Sequence, residues 1–326
     1  MSWGDAMPTN KSHIICILHI LQKYSDENHI LPMREIISKM KVIYGITIDR
    51  RTVYGLIDEL NLLDYDISTY QENNVGYYLR SRTFEPSEVR LLTDRVYSMG
   101  FIPQKQADSL IDKLQSTLST YNRRRYRHIR AARIQKQENA ELFWTIEQLD
   151  EAIEKDYMVM FDYYDYQVDK TLVPRRDKKY LVNPYQMVCA NEKYYLVCNY
   201  DKYENISHYR IDLMKNLEIV PQKRKPLPKD FNLNEYSDSL VYMFDGKREE
   251  VEIICDNIMA GEVIERFGMD VRMVRIDENQ FRLCLNAPPL GLKFWALQYL
   301  PYCEVVRPLW LRDEIKKSIK MNRYGD

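Results

Sequence analysis

Between residues 179 and 220 the chain changes character every few residues in a way few folds accommodate. Three apolar and aromatic segments follow one another, Lys179-Tyr180-Leu181-Val182-Asn183-Pro184-Tyr185-Gln186-Met187-Val188, Asn191-Glu192-Lys193-Tyr194-Tyr195-Leu196-Val197-Cys198 and Ser207-His208-Tyr209-Arg210-Ile211-Asp212. Their Val, Ile and Tyr content and period-two alternation predict strands of a half-buried small sheet or barrel, and the Asn191-Glu192-Lys193 break is of hairpin length. In the last segment alternation puts Tyr209 and Ile211 on one face and Ile206, His208 and Arg210 on the other. An imidazole and a guanidinium therefore project the same way.

The residues before this stretch extend the pattern. A helix is predicted from Thr145, with Ile146, Leu149, Ala152 and Ile153 inward, followed by an aromatic strand over 157–164, a turn near Asp169 and a strand at 171–174. Arg175-Arg176-Asp177-Lys178-Lys179 leads into the first of the three segments. A strand-rich unit of this length suits a small barrel of the SH3 or Sm-like kind.

The N-terminal part reads differently. After a loose start, Ile14, Ile17, Leu18 and Leu21 have helical spacing; Pro32 opens a second helix carrying Ile36, Ile37 and Met40; and Thr47 is a natural cap for a third, whose stripe is Val53, Leu56, Ile57 and Leu60. Two strand-like pieces follow, 65–70 and 76–79, joined by Gln71-Glu72-Asn73-Asn74-Val75. Three short helices and a hairpin are the order of a winged helix-turn-helix, which lays the start of its last helix in the major groove. Thr47, Asp49, Arg50, Arg51, Thr52 and Tyr54 are then the candidate DNA-binding residues, with Asn73 and Asn74 at the wing tip. Two adjacent arginines also suit a merely solvated helix face, and residues 1–82 hold nine basic against ten acidic side chains. Distribution matters more than sum: helices over 85–119 lead to 121–137, where Arg123, Arg124, Arg125, Arg127, Arg130 and Arg133 crowd a window without a carboxylate. That run suits a phosphate backbone or a solvated linker equally.

Several functions are excluded. Cys16, Cys189, Cys198, Cys255, Cys284 and Cys303 are scattered through apolar segments without a C-x-x-C pair, arguing against structural zinc and a disulfide framework. No H-E-x-x-H, G-x-S-x-G, P-loop or G-x-G-x-x-G element occurs, so no enzyme, catalytic residue, metal or cofactor is expected. Neither a membrane span nor a signal peptide is indicated, which makes cytoplasm the expected location. Beyond a Lys- and Pro-rich linker at 221–228, strand, helix, hairpin, helix, strand and final helix succeed one another over 251–321, the βαββαβ order of a ferredoxin-like sandwich. Trp295 and Trp310 are expected in its core.

Tyr194-Tyr195-Leu196, preceded by Asn183-Pro184-Tyr185 and followed by His208-Tyr209-Arg210-Ile211-Asp212, resembles the WYL domain of bacterial transcriptional regulators, with Tyr194 in place of the Trp that names the family. The flanking regions resemble the rest of such regulators, a winged helix before and a WCX-type extension after. The resemblance implies a sensor barrel that binds a small molecule or nucleic acid through basic and aromatic side chains, and its candidate ligand residues here are Tyr164, Lys179, Tyr185, Tyr194, Ser207, His208 and Arg210. Two positions depart from the family pattern: Tyr180 stands where an arginine is frequent, and Leu213 where a basic residue often follows the Asp.

The expectation is thus an α+β multidomain chain: a winged helix-turn-helix over 1–82, a helical connector and Arg-rich linker over 83–140, a WYL barrel over 141–221 and a ferredoxin-like extension over 229–326. Its expected function is that of a ligand-responsive, homodimeric repressor binding a double-stranded operator with inverted repeats and sensing an anionic nucleotide or oligonucleotide. The alternatives are an activator, a nucleic-acid sensor whose barrel binds single strands, and a protein-interaction scaffold without DNA binding.

Overall fold

The structure is a computed structural model and describes residues 12–124, 139–190, 193–200, 205–227 and 248–321. The loose start up to residue 11, most of the arginine-rich run, the turn at 191–192 and the end of the second linker lie outside the described residues. The chain is α+β and divides into two compact units, Met1–Ala140 and Glu141–Asp326.

In the first unit α1 (His13–Tyr24), α2 (Met33–Tyr44) and α3 (Arg50–Leu62) bury one stripe each, Ile17, Ile20 and Leu21 against Ile36 and Met40 against Val53, Ile57 and Leu60. Helix α2 stops where Gly45 takes a left-handed φ of 69° and returns its amide to the Lys41 carbonyl, a conformation only glycine adopts without strain. Helix α3 is capped by Asp49, not by Thr47. Asp49 is the extended residue next to the first helical one, and its carboxylate accepts from the Thr52 amide at 3.0 Å and the Thr52 hydroxyl at 2.8 Å; Thr47 sits outside the helix, exposed.

The expected hairpin shrinks to β1 (Ile67–Ser68) paired with β2 (Tyr78–Leu79). Its connection is not an open loop: the Glu72 carboxylate accepts from the Thr69 amide at 2.6 Å and starts a helical turn, α4 (Tyr70–Asn73). Gly76 then passes so close to Leu31 that a Cβ on it would lie 2.2 Å from the Leu31 carbonyl oxygen. Only glycine fits there.

Helices α5 (Pro86–Ser98), α6 (Gln104–Ser116) and α7 (Thr120–Arg124) complete this unit. They are tied to α1 by polar bonds. The Arg82 guanidinium donates to the carbonyls of Gln22, Ser25 and Thr117 at 2.9, 2.5 and 3.2 Å, and buried Asp26 accepts from the Ser119 hydroxyl at 2.5 Å and from His29 Nδ1 at 2.7 Å. His29 in turn stacks on Tyr121 with ring centroids 3.6 Å apart.

The second unit opens with α8 (Leu142–Glu154), burying Leu142, Thr145, Leu149 and Ala152. A curled antiparallel sheet follows, made of β3 (Tyr157–Tyr166), β4 (Leu172–Pro174), β5 (Tyr180–Ala190), β6 (Lys193–Tyr200), β7 (Ile206–Arg210) and β8 (Met214–Lys223). Its order is β4-β3-β5-β6-β7, with β8 on β3. Bulges in the β3–β8 pairing and between Pro184 and Gln186 supply the curl. The expected strand through Asp212 ends two residues early, because Ile211–Leu213 turns into a 3₁₀ segment that buries all three side chains.

The remainder is β9 (Glu249–Asp256), α9 (Ala260–Phe267), β10 (Arg272–Arg275), β11 (Gln280–Ala287), α10 (Pro289–Gln298), β12 (Cys303–Arg307) and α11 (Leu309–Lys320). The sheet order is β10-β11-β9-β12, every pair antiparallel, over a core of Val251, Ile253, Leu283, Leu292 and Trp295. Trp310 is not in that core. Leu311 and Ile315 are the inward residues of α11, and Trp310 stays 43% exposed with its indole N–H donating to Glu249 at 3.0 Å.

Candidate functional site

Two surfaces carry the predicted site residues, one in each unit. In the first, Arg50 and Arg51 occupy the opening turn of α3, are exposed, and form no ion pair with any carboxylate among the described residues. Their neighbours are committed elsewhere. Asp49 and Thr52 bond each other, and the Thr52 amide and hydroxyl hold the Asp49 carboxyl below the usual carboxylate range. Tyr54, 46% exposed, leans its ring edgewise on Tyr77 with centroids 6.2 Å apart. The Asn73 side chain builds the turn, donating to Ser68 Oγ at 2.8 Å and the Gly76 carbonyl at 3.0 Å while accepting from the amides of Val75 and Gly76; exposed Asn74 holds a left-handed φ of 59°. Of the predicted DNA-binding set, the arginine pair is what a phosphate or a base edge could meet with its charge uncommitted.

The second surface lies on β6 and β7. Their register aligns Tyr195 with Arg210 and Val197 with His208, so Lys193, Tyr195, His208 and Arg210 share a face. Tyr194 and Ser207 fall on the opposite face, with Leu196, Cys198 and Tyr209. The aromatic neighbour of the guanidinium is therefore Tyr195 rather than Tyr194. A one-residue difference in a strand reverses the face.

Arg210 is held but not sealed in. Its Nε and one terminal nitrogen donate to the two oxygens of buried Asp212 at 3.1 and 2.7 Å, its amide donates to the Tyr163 hydroxyl at 3.2 Å, and its side chain keeps 22% of its surface. Burial works against its charge, yet the Asp212 pair raises its pKa. Burial lowers the Lys193 pKa, and the Arg210 charge lowers it further; burial also raises the Tyr195 hydroxyl. Two cations and one carboxylate leave this corner with an excess positive charge that repels itself. An anion placed between Lys193 and Arg210 relieves that repulsion, and the Tyr195 ring offers a flat face beside it.

The other predicted ligand residues have partners of their own. Lys179 Nζ pairs with Glu218 at 2.5 Å, Lys215 lies over the Tyr164 ring at 4.7 Å, and Tyr185 is buried with its hydroxyl on Asn199 at 3.0 Å and Arg224 over its ring at 5.2 Å. Inside the curl Phe161, Tyr163, Tyr180 and Tyr209 pack ring on ring, Tyr163 and Tyr209 at 4.9 Å and Tyr180 and Tyr209 at 5.2 Å. Arg176 covers Tyr180 at 3.5 Å and Arg175 covers Tyr163 at 4.6 Å. So where the family pattern often has an arginine this chain has a tyrosine, and a guanidinium from the preceding loop stacks on it. Lys193, Tyr195 and Asp212 are not among the ligand residues expected from sequence. The β6–β7 register that brings them to one face is a pairing between strands that no local pattern announces.

Among the described residues no helix is long and apolar enough to cross a membrane, and no cluster of three or more His, Cys, Asp or Glu side chains could hold a metal ion.

A curled antiparallel sheet with a cationic, tyrosine-bearing corner on its last two strands defines the second unit. Residues 145–219, which cover α8 and most of this sheet, match the WYL domain. No curated protein matches the chain. Among solved structures it is similar to proteasome accessory factor B/C (PafBC) of Arthrobacter aurescens, at 15% identity and a TM-score of 0.28 over 98% of this chain and 50% of that one. It is also similar to a CRISPR Cas-related protein, at 15% identity and a TM-score of 0.38 over 98% of this chain and 86% of the other. The chain thus spans half the length of the first of these structures.

Proposed function

We propose that the chain is a DNA-binding transcriptional regulator whose WYL domain receives an anionic effector, a nucleotide or an oligonucleotide, and that it acts in the cytoplasm as a homodimeric repressor on an inverted repeat. In this reading the first three helices with β1 and β2 form a winged helix-turn-helix, β3 to β8 a small barrel of the SH3 or Sm-like kind, and residues 229–326 a ferredoxin-like domain. The strand order β10-β11-β9-β12, with a helix between its outer pairs, supports the last assignment. No catalytic role is part of the proposal.

The observation that carries the reading is the opening turn of α3. Its apolar stripe is fully used in the core, its cap is internal, and two exposed guanidiniums without ion-pair partners among the described residues stand where winged helices meet the major groove. The test is duplex binding by full-length protein, using a duplex enriched from a random-sequence pool. Arg50→Ala with Arg51→Ala is expected to abolish retention at moderate salt and to lower the salt slope by about 2, one for each phosphate left without its guanidinium, while the unfolding temperature stays put. Equal affinity of the double variant would remove α3 from the binding surface.

A further inference from the structure

We infer that Gly55 is the place where α3 comes closest to duplex DNA, its missing side chain letting the sugar-phosphate wall or a base edge reach the helix backbone. The inference rests on the reading of α3 as a DNA-contacting helix and says where on it the duplex lies.

Gly55 sits in the interior of α3, Arg50–Leu62, and is exposed. Glycine is the poorest helix former after proline, so its presence mid-helix calls for a reason. Three ordinary reasons are absent. A close internal neighbour is not among the described residues, where a Cβ built on Gly55 meets nothing within 4 Å. A left-handed backbone is ruled out too, because the positive-φ glycines are Gly45 and Gly268. Nor does it cap or end the helix, which runs on for more than another turn and is held inward by Ile57 and Leu60. By contrast Gly76 has such a reason, its Cβ position being filled by Leu31.

What remains is a neighbour from outside, and the surroundings indicate its chemistry. Gly55 lies four residues after Arg51, one turn along the same face, so a duplex that lies along that face and meets the Arg51 guanidinium runs on over Gly55. Asp58 and Glu59 follow one turn later, both exposed, and repel a polyanion. A duplex is therefore admitted at the Arg50, Arg51 and Gly55 end of α3 and turned away at the other.

The experiment compares full-length wild type, Gly55→Ala and Gly261→Ala for thermal unfolding and for binding of a duplex that wild type enriches from a random-sequence pool. Gly261 is the control, another exposed helical glycine whose Cβ position is empty. Both variants are expected to unfold a few degrees higher than wild type. Only Gly55→Ala is expected to bind the duplex more weakly, by roughly tenfold or more, and Gly55→Gln more weakly still. Unchanged affinity of Gly55→Ala overturns the inference while the DNA-binding reading survives. A lower unfolding temperature for Gly55→Ala overturns it as well, since the glycine then serves the fold. If wild type enriches no duplex at all, the reading and the inference fall together.

Discussion

Tyr195 on β6 and Arg210 on β7 stand directly across from each other, with both oxygens of Asp212 accepting from the guanidinium and Lys193 on the same face as Tyr195. The two tyrosines of the Tyr194-Tyr195 pair thus part company. One stands beside the charge, and the other shares the side of the sheet that buries Leu196 and Cys198.

A binding measurement separates them. With a fluorescent single-stranded oligonucleotide as probe, Tyr195→Ala and Arg210→Ala are each expected to weaken binding by about 1–3 kcal/mol, the range of one missing stacked base or charge-assisted bond. Tyr194→Ala is expected to change anisotropy titrations by less than about 0.5 kcal/mol. The opposite ranking would put the ligand on the other side of the sheet.

Arg82 makes a stability prediction in the first unit. It gathers carbonyls from the end of α1 and the end of α6, where helix C-termini leave acceptors without partners. Burial lowers its pKa, opposed by the charges of Asp26 and Glu85. Removing it strands several acceptors at once, so Arg82→Ala should cost about 2–4 kcal/mol in the urea transition that reports this unit. A loss below about 0.5 kcal/mol would mean that water replaces the guanidinium without penalty.

Glu72 sets a pH dependence. The Arg80 guanidinium, then the Thr69 amide, hold its carboxyl down to about 2, against 4.5 for the free group. A folded value below the unfolded one means that the anion favours the native state: its contribution is complete above the unfolded value and fades as pH falls toward the folded one. The gap in unfolding temperature between wild type and Glu72→Gln should therefore be widest near about pH 6 and close in acid. A gap that persists unchanged at low pH would assign the effect to something other than charge.

What the sequence makes legible is whatever depends on nearby residues. The inward Ile17 and Leu21 of α1, the stop at Gly45 and the strands of the second unit other than β8 all follow from spacing alone, whereas β8 runs into what reads as a linker. What escaped depends on distant partners or on competing caps. Asp49 prevails over Thr47 because it adjoins the first helical residue; Glu72 folds the expected loop into a turn; and the pairing of Tyr195 with Arg210 is fixed only by the register between two strands. The arginines over Tyr163 and Tyr180 come from a loop whose direction no periodicity encodes.

The bond between Asp26 and Ser119 joins points far apart along the chain, and Arg82 leans on Thr117 in the same neighbourhood. The practical consequence concerns dissection. A fragment trimmed just past the second strand would leave an acid and an imidazole without their counterparts, so the smallest piece of this unit that folds by itself is expected to need the chain through α7.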